Sequence, residues 1–443
     1  MRSQSSIIFR TLRRLSHNPI WGGTLLIIAA AIALVWANMY PEGYHHFWHD
    51  TILRIGRGKG EISEINGHML INDLLMAIFF FFTGLEIKRE VKAGELSTFK
   101  QAVLPLVAAV GGMVVPALIY LYFNQGLPTA DGWGIPMATD IAFSLGVLGL
   151  LGTRAPLSLK IFLTALAIGD DLGAVIVIAL FYSDHIIISE LAWGAGGLGL
   201  LLVANLIGIR NHRFYYLIGL VVVWSSFLVS GVHATLAGVL VAFTFPASPK
   251  LDPDEFVDEV EGVLGRIKES RFEIRAGVLP AGLMKNIVRI GRKSFEAANP
   301  LQLEETVLDP YVTFFIMPLF ALANAGVPIT GEWSDMISNP AALGVALGLL
   351  LGKPIGIFLF TYGLHLTKLG RIPPDVSLRH LLGVGFLAGI GFTMSLFITN
   401  LAFVDETLRD QVKLAIIVAS LISGIIGFAL LFTAKPKISR SNI

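Results

Sequence analysis

The sequence predicts an all-α, polytopic membrane protein. Three observations carry that expectation. The chain of 443 residues is 54% hydrophobic and only 15% charged, with a mean hydropathy of +0.71, whereas soluble chains carry about 25% charged residues. Its apolar residues gather into runs of roughly 20, the length a helix needs to cross a bilayer. Lysine and arginine collect in alternate connections between those runs, as the positive-inside rule requires.

Twelve runs are counted, near 20–38, 69–87, 102–123, 134–152, 158–182, 188–208, 214–230, 232–246, 310–328, 340–365, 380–403 and 411–433. The eighth is short and almost touches the seventh. The first, about Trp21 to Ala37, is long for a signal-peptide core and lacks a small-residue cleavage site, so it reads as a retained span. Basic residues mark one side: Arg2, Arg10, Arg13 and Arg14, then Lys88, Arg89, Lys92 and Lys100, then Arg154 and Lys160. Arg210 and Arg213 follow, then Lys368, Arg371 and Arg379, and finally Lys435, Lys437 and Arg440. The loops at 124–133, 183–187 and 329–339 contain no Lys or Arg; the 39–67 loop, with Arg54, Arg57 and Lys59, departs from the pattern. Both termini are therefore expected in the cytoplasm, which an even span count requires.

The expected organisation is a cytoplasmic segment at 1–19, spans one to eight within 20–246, a cytoplasmic loop at 247–305, spans nine to twelve within 306–434, and a cytoplasmic tail at 435–443. The 247–305 loop is acidic first (Asp252, Asp254, Glu255, Asp258, Glu259, Glu261) and mixed thereafter. Phe256, Val260, Val263, Leu264 and Ile267 recur at helical spacing there, which predicts an amphipathic helix. The chain has no Cys, which excludes disulfides, thiolate metal sites and cysteine nucleophiles. Nothing in it points to a cofactor or to nucleic acid; the lipid bilayer is the partner that composition dictates.

The fifth run carries the chemistry. Asp170 and Asp171 sit in its middle, where an ionised Asp costs at least about 2.5–3.5 kcal/mol. Such a pair must be neutralised by protons, a bound cation or a buried base. A site that swaps protons for a cation is the core of a transporter. Neighbours on a helix point about 100° apart, so one Asp can face a cavity while the other faces a helix.

Asp140 follows Pro136, whose missing N–H predicts an interrupted helix. Interruptions at membrane depth are tolerated where they are buried in protein or line a watery cavity. Asp140 either offsets the partial charge of the broken helix ends or ligates a cation; Thr139 offers a hydroxyl to a hard cation or caps a helix. Lys353 lies mid-span, too central to reach water, with Asp170 or Asp171 as its natural partner. Gly383, Gly385, Gly389 and Gly391 predict a second interruption in the eleventh run, or close packing there. Ile141-Ala142-Phe143-Ser144-Leu145 echoes Ile390-Gly391-Phe392-Thr393-Met394. Each interrupted run is the middle of a triplet, the pattern expected of two inverted repeats around a midplane site. His233 is a candidate pH sensor or a hydrogen-bonded helix-end residue. Glu86, Lys88, Arg89 and Glu90 close the second span.

Several blocks together resemble the bacterial NhaA sodium/proton antiporters. They are Ala138-Thr139-Asp140, Ala165 to Ala174 around the Asp pair, Ser230 to Gly238, Leu319 to Val327, Gly352-Lys353-Pro354 and Gly389 to Ser395, in order along nearly the whole membrane part. NhaA transporters are themselves a type example of the inverted-repeat architecture. The resemblance implies twelve helices, the fourth and eleventh broken and crossing at mid-membrane. It implies that Asp171 is the principal cation and proton carboxylate, that Asp170 is a second ligand or the partner of Lys353, and that Asp140 and Thr139 lie beside the crossing. Lys353 is then the charge-compensating group. Glu86, Arg89, Glu90, His233 and Glu305 match positions linked to pH response. The implied activity is electrogenic exchange of cytoplasmic Na⁺ or Li⁺ for more than one proton, and family members commonly form homodimers. This chain departs from the usual pattern in its longer 247–305 loop and in Asp309, where some relatives have histidine.

Two rivals use membrane carboxylates differently. An intramembrane aspartyl protease wants Gly-x-Gly-Asp, and Ala167 stands where its first Gly belongs. A prenyl-transfer enzyme wants a third acid after Asp170-Asp171, and Leu172-Gly173-Ala174-Val175 has none. A passive cation channel predicts flux without proton exchange. The reading is of a transporter, not an enzyme.

Overall fold

The computed structural model describes residues 19–57, 61–183, 186–269, 280–329 and 338–434. The N-terminal arginines, Lys59 and the basic residues of the tail lie outside them. Ten helices among the described residues are long and apolar enough to cross a bilayer, and a bent pair supplies an eleventh. The short apolar helix Thr235–Thr244 stands where the short eighth run was expected.

The chain enters through α1 (Pro19–Met39), whose apolar residues cover every face, as suits a helix with lipid on one side and protein on the other. The 39–67 connection is more ordered than its composition suggests. It contains α2 (Pro41–His49) and a two-stranded antiparallel hairpin, β1 (Thr51–Arg57) with β2 (Glu61–Asn66), in which Arg54 lies opposite Glu64. This hairpin lies outside the all-α membrane-spanning body. Strands so short, with no sustained alternation, leave no signal that a search for apolar runs detects.

Next come α3 (Gly67–Ala93) and α4 (Phe99–Asn124). The fourth span is broken: a tight helical stretch at Pro128–Met137 gives way to α5 (Ile141–Leu150) through extended backbone at Ala138 and Asp140. Then follow α6 (Leu157–Phe181), α7 (Ile188–Leu206), α8 (His212–Ser230) and α9 (Thr235–Thr244). Glycine lets helices meet backbone to backbone. A Cβ at Gly356 would lie 2.1 Å from Gly111 O, so this contact between spans three and ten requires glycine.

Beyond α9 the chain leaves the membrane-spanning body as two helices, α10 (Pro253–Glu269) and α11 (Ala281–Ala297). The first is the expected amphipathic helix, with Val263 buried. The second was not anticipated. Lys293 Nζ lies 2.7 Å from Glu259 Oε1 across the pair, and Arg289 lies 3.7 Å from Glu259 Oε2. Lys250 N and Leu251 N donate to Glu296 O at 2.9 and 3.0 Å, tying the strand leaving α9 to α11.

Asn299 then caps α12 (Pro300–Asn324) by accepting from Leu301 N. The remaining spans are α13 (Pro340–Leu366), the bent pair α14 (Leu378–Ala388) and α15 (Phe392–Ala402), which meet at 43°, and α16 (Glu406–Thr433). The two ends of the bundle are distinct: one bears the hairpin, the other the α10–α11 pair. They are called the hairpin face and the helix-pair face below.

Candidate functional site

The two broken spans cross and are stitched together at their breaks. Asp140 N donates to Ile390 O at 2.7 Å. Ser144 Oγ donates to Leu387 O at 2.7 Å, and Ser395 Oγ to Ile135 O at 2.8 Å. A broken helix exposes backbone groups that hydrocarbon cannot satisfy. Here each break supplies partners for the other.

Asp140 occupies the positive ends of two helices at once. Its Oδ1 accepts from Phe143 N at 2.9 Å, capping α5. Its Oδ2 accepts from Thr393 N at 3.2 Å and Thr393 Oγ1 at 2.6 Å, at the start of α15. Of the two readings left open for Asp140, this geometry matches compensation of helix ends.

Lys353 follows a widened π turn at Gly348–Gly352, a local irregularity frequent at functional sites. Its Nζ pairs with Asp170 Oδ2 and donates to Thr139 Oγ1 at 2.8 Å. Thr139 Oγ1 in turn lies 2.7 Å from Asp170 Oδ2 and 2.8 Å from Ala388 O. A hydroxyl has one proton, so it donates to one of these oxygens at a time. Lysine, threonine and aspartate thus form one compact cluster with no exposed side chain. Asp170 Oδ1 is buried and, among the described residues, accepts no hydrogen bond.

Asp171 is placed differently. One residue further round α6, it faces a cavity of about 160 Å³, also lined by Thr83, Glu86, Thr139, Asp140 and Asp309. That volume is large enough for several waters, and among the described residues no hydrogen bond is made to the Asp171 carboxyl. Phe79, Phe82, Met317 and Met394 form much of the rest of the wall.

Glu86 and Asp309 carry the cavity towards the helix-pair face. There Arg89 joins two acids: its Nε donates to Glu305 Oε1 at 3.1 Å, and its Nη2 lies 3.1 Å from Glu90 Oε1. Four of the five residues expected to respond to pH, Glu86, Arg89, Glu90 and Glu305, therefore gather at one end. His233 does not join them. It sits in the α8–α9 connection on the hairpin face, where Ser230 O accepts from Ile187 N. Lys88, one of the charged residues that close the second span, donates to Phe243 O at 2.6 Å and to Phe245 O, clamping α3 to the last carbonyls around α9.

Thr83, Thr393 and the cavity position of Asp309 were not read as site features. Thr83 stands one turn before Glu86, a spacing that puts both on one face. Thr393 lay within the noticed echo, but nothing local tells which carboxylate its hydroxyl meets.

Comparison with known proteins identifies the family. The profile of the family described as Na⁺/H⁺ antiporter 1 matches residues 13–431. A protein of Psychromonas ingrahamii named Na(+)/H(+) antiporter NhaA 1 is 52% identical over 427 residues, covering 96% of this chain and 97% of its own. The Na(+)/H(+) antiporter NhaA of Koribacter versatilis is 46% identical, covering 94% of this chain and 91% of its own. That of Salmonella arizonae is 44% identical, covering 94% and 97%. With its profile matched across nearly the whole length and its two broken helices crossed beside buried carboxylates, this multi-pass membrane protein belongs to the Na⁺/H⁺ antiporter 1 family.

Proposed function

We propose that the chain exchanges Na⁺ or Li⁺ for more than one proton, with Asp171 as the group that binds either. The observation that supports this best is the contrast within the Asp pair. Asp170 is held by Lys353 and Thr139, whereas Asp171 opens onto a cavity that leads to one face. A carboxylate in a small cavity beside the hydroxyls of Thr83 and Thr139 and the carboxyls of Glu86, Asp140 and Asp309 suits a hard cation. The same carboxylate takes a proton when the cation leaves, so the two compete. Asp170 and Lys353 form the second protonatable unit: separating them leaves a buried acid and a buried base that each change charge. Asp140 holds the crossing together, and Thr139 links Lys353 to Asp170.

In this reading the helix-pair face is cytoplasmic, because Lys88, Arg89, Lys92, Lys100, Arg154, Lys160, Arg210, Arg213, Lys368, Arg371 and Arg379 lie towards it. The membrane is the bacterial inner membrane. Glu86, Arg89, Glu90 and Glu305 form a charged entrance whose protonation sets when cations are admitted. One net charge entering per cycle draws about 2.3 kcal/mol from each 100 mV. That free energy sustains roughly a fortyfold sodium ratio at about 1.4 kcal/mol per tenfold step.

Everted vesicles carrying the protein, loaded with a pH-sensitive dye, test the reading. Na⁺ or Li⁺ added to acid-loaded vesicles should raise luminal pH, and K⁺ should not. Asp171→Asn should abolish the response while eluting from a sizing column as the parent does. Exchange that survives this substitution would refute the assignment, and cation flux without proton movement would mean a channel.

A further inference from the structure

The hairpin face has a cavity of its own, about 280 Å³, walled in part by His45, His49, His68, Glu406, Asp410 and Lys413. The three imidazoles stack in series, with ring centroids 4.3 Å apart for His45 and His49 and 5.0 Å for His49 and His68. His68 leads inward: its ring lies 3.0 Å from Asn72 Nδ2. Asn324 Nδ2 donates to Asn72 Oδ1 at 3.0 Å, and Asn400 Nδ2 donates to Asn324 Oδ1 at 2.7 Å. Three amides, from α3, α12 and α15, thus meet inside the bundle. Asn400 Oδ1 is buried and, among the described residues, accepts no hydrogen bond.

Beneath the amides lies a layer of rings. Phe397 packs 5.4 Å from Phe80 and 6.3 Å from Phe320, centroid to centroid, and all three are closed off from solvent. Beneath the rings, Thr83, Met317 and Thr393 belong to the wall of the carboxylate cavity. The order repeats on each helix. On α15 it runs Thr393, Phe397, Asn400, and on α12 Met317, Phe320, Asn324, at spacings that share a helix face. On α3 it runs Thr83, Phe80, Asn72. At 1.5 Å per residue, Asn400 stands about 10 Å along its helix from Thr393.

We propose that Asn72, Asn324 and Asn400 form an outer station for the transported cation, and that Phe80, Phe320 and Phe397 are the closed seal between that station and Asp171. The inference rests on the antiport reading above. A purely structural amide tie would satisfy its own acceptors; this one leaves a carbonyl oxygen open. Hard cations take carbonyl oxygens, and a neutral cluster holds an ion loosely enough to release it, as passage requires. The station borders the vestibule through His68, which lines that cavity and touches Asn72.

The natural chain has no Cys, so single cysteines report accessibility without background. A small, membrane-impermeant thiol reagent is applied from each face to His68→Cys and Thr393→Cys proteins. His68→Cys should react from the hairpin face and Thr393→Cys from the helix-pair face alone. Adding Phe397→Ala to Thr393→Cys should raise its labelling from the hairpin face about tenfold or more, whereas Phe397→Leu, which keeps a bulky apolar plug, should not. Reaction from the helix-pair face in every Thr393→Cys variant checks the fold. Labelling of His68→Cys should slow in Na⁺ relative to choline, including in the Asp171→Asn background, and Asn400→Ala should remove that protection. Equal rates in Na⁺ and choline overturn the station; a Thr393→Cys site still closed after Phe397→Ala overturns the seal. Neither readout needs proton exchange, so each stands apart from failure of the antiport reading.

Discussion

Lys353 and Asp170 form an ion pair with no exposed side-chain surface, and Asp171, the next residue, stays outside it. A buried pair is a poor source of net stability, but removing one partner leaves a charge without compensation, which costs about 3–5 kcal/mol. Lys353→Ala should therefore lower the thermal midpoint of the detergent-solubilised protein markedly. The double variant with Asp170→Asn should regain at least part of the loss. A double variant no more stable than Lys353→Ala would show that the pair is not the origin of the effect.

Asp140 serves three donors, so its truncation should be the most damaging change at the crossing. Each buried donor left unpaired costs about 1–3 kcal/mol. Asp140→Ala should destabilise by about 3 kcal/mol or more, and Thr393→Val, which removes one of the three hydrogen bonds, by about 1 kcal/mol. Denaturation of the two variants under the same conditions checks the ranking.

The contact between Gly111 and Gly356 sets how close α4 and α13 come. A methyl at 356 would sit 2.1 Å from Gly111 O. Gly356→Ala should push the helices apart and displace Lys353, three residues earlier. The loss should be about 1–3 kcal/mol, typical of overpacking, together with impaired exchange. A normal melting curve for this variant would argue against the close approach.

The α10–α11 pair should loosen in acid. The hydrogen bond from Lys293 holds the Glu259 carboxyl below its ordinary 4.5. The folded carboxylate then binds fewer protons than the unfolded one, so the contribution is full above about pH 4.5 and is lost as pH falls further. Protection of the amides in 281–297, measured against their intrinsic exchange rates at each pH, should be lower at pH 4 than at pH 6, and Glu259→Gln should remove much of that difference.

The vestibule has the same sign for a different reason. Burial pushes the His49 imidazole below its ordinary 6.5; the hydrogen bond to the His45 carbonyl and the Glu406 charge oppose this, whereas the His45 ring and Lys413 add to it. The folded protein keeps His49 neutral while the unfolded chain takes up a proton. Stability is thus complete above about pH 6.5 and declines on acidification towards the folded value. His49→Gln should flatten the thermal midpoint between pH 6.5 and pH 5.

Hydropathy is a property of short stretches, so the sequence alone established the membrane class, the spans and the depth of Asp140, Asp170, Asp171 and Lys353. Breaks were also local: Pro136 lacks a donor, and Gly389 and Gly391 weaken the helix. The hairpin and the second extramembrane helix escaped because neither forms an apolar run. Which aspartate takes Lys353 was decided only in three dimensions, between residues 183 positions apart. Adjacent residues on a helix differ by about 100° in direction, and the packing of α13 on α4 selects one of them. The union of Asp140 with Thr393, 253 positions away, has the same cause: two interrupted helices cross, and each supplies the groups that the other's break leaves bare.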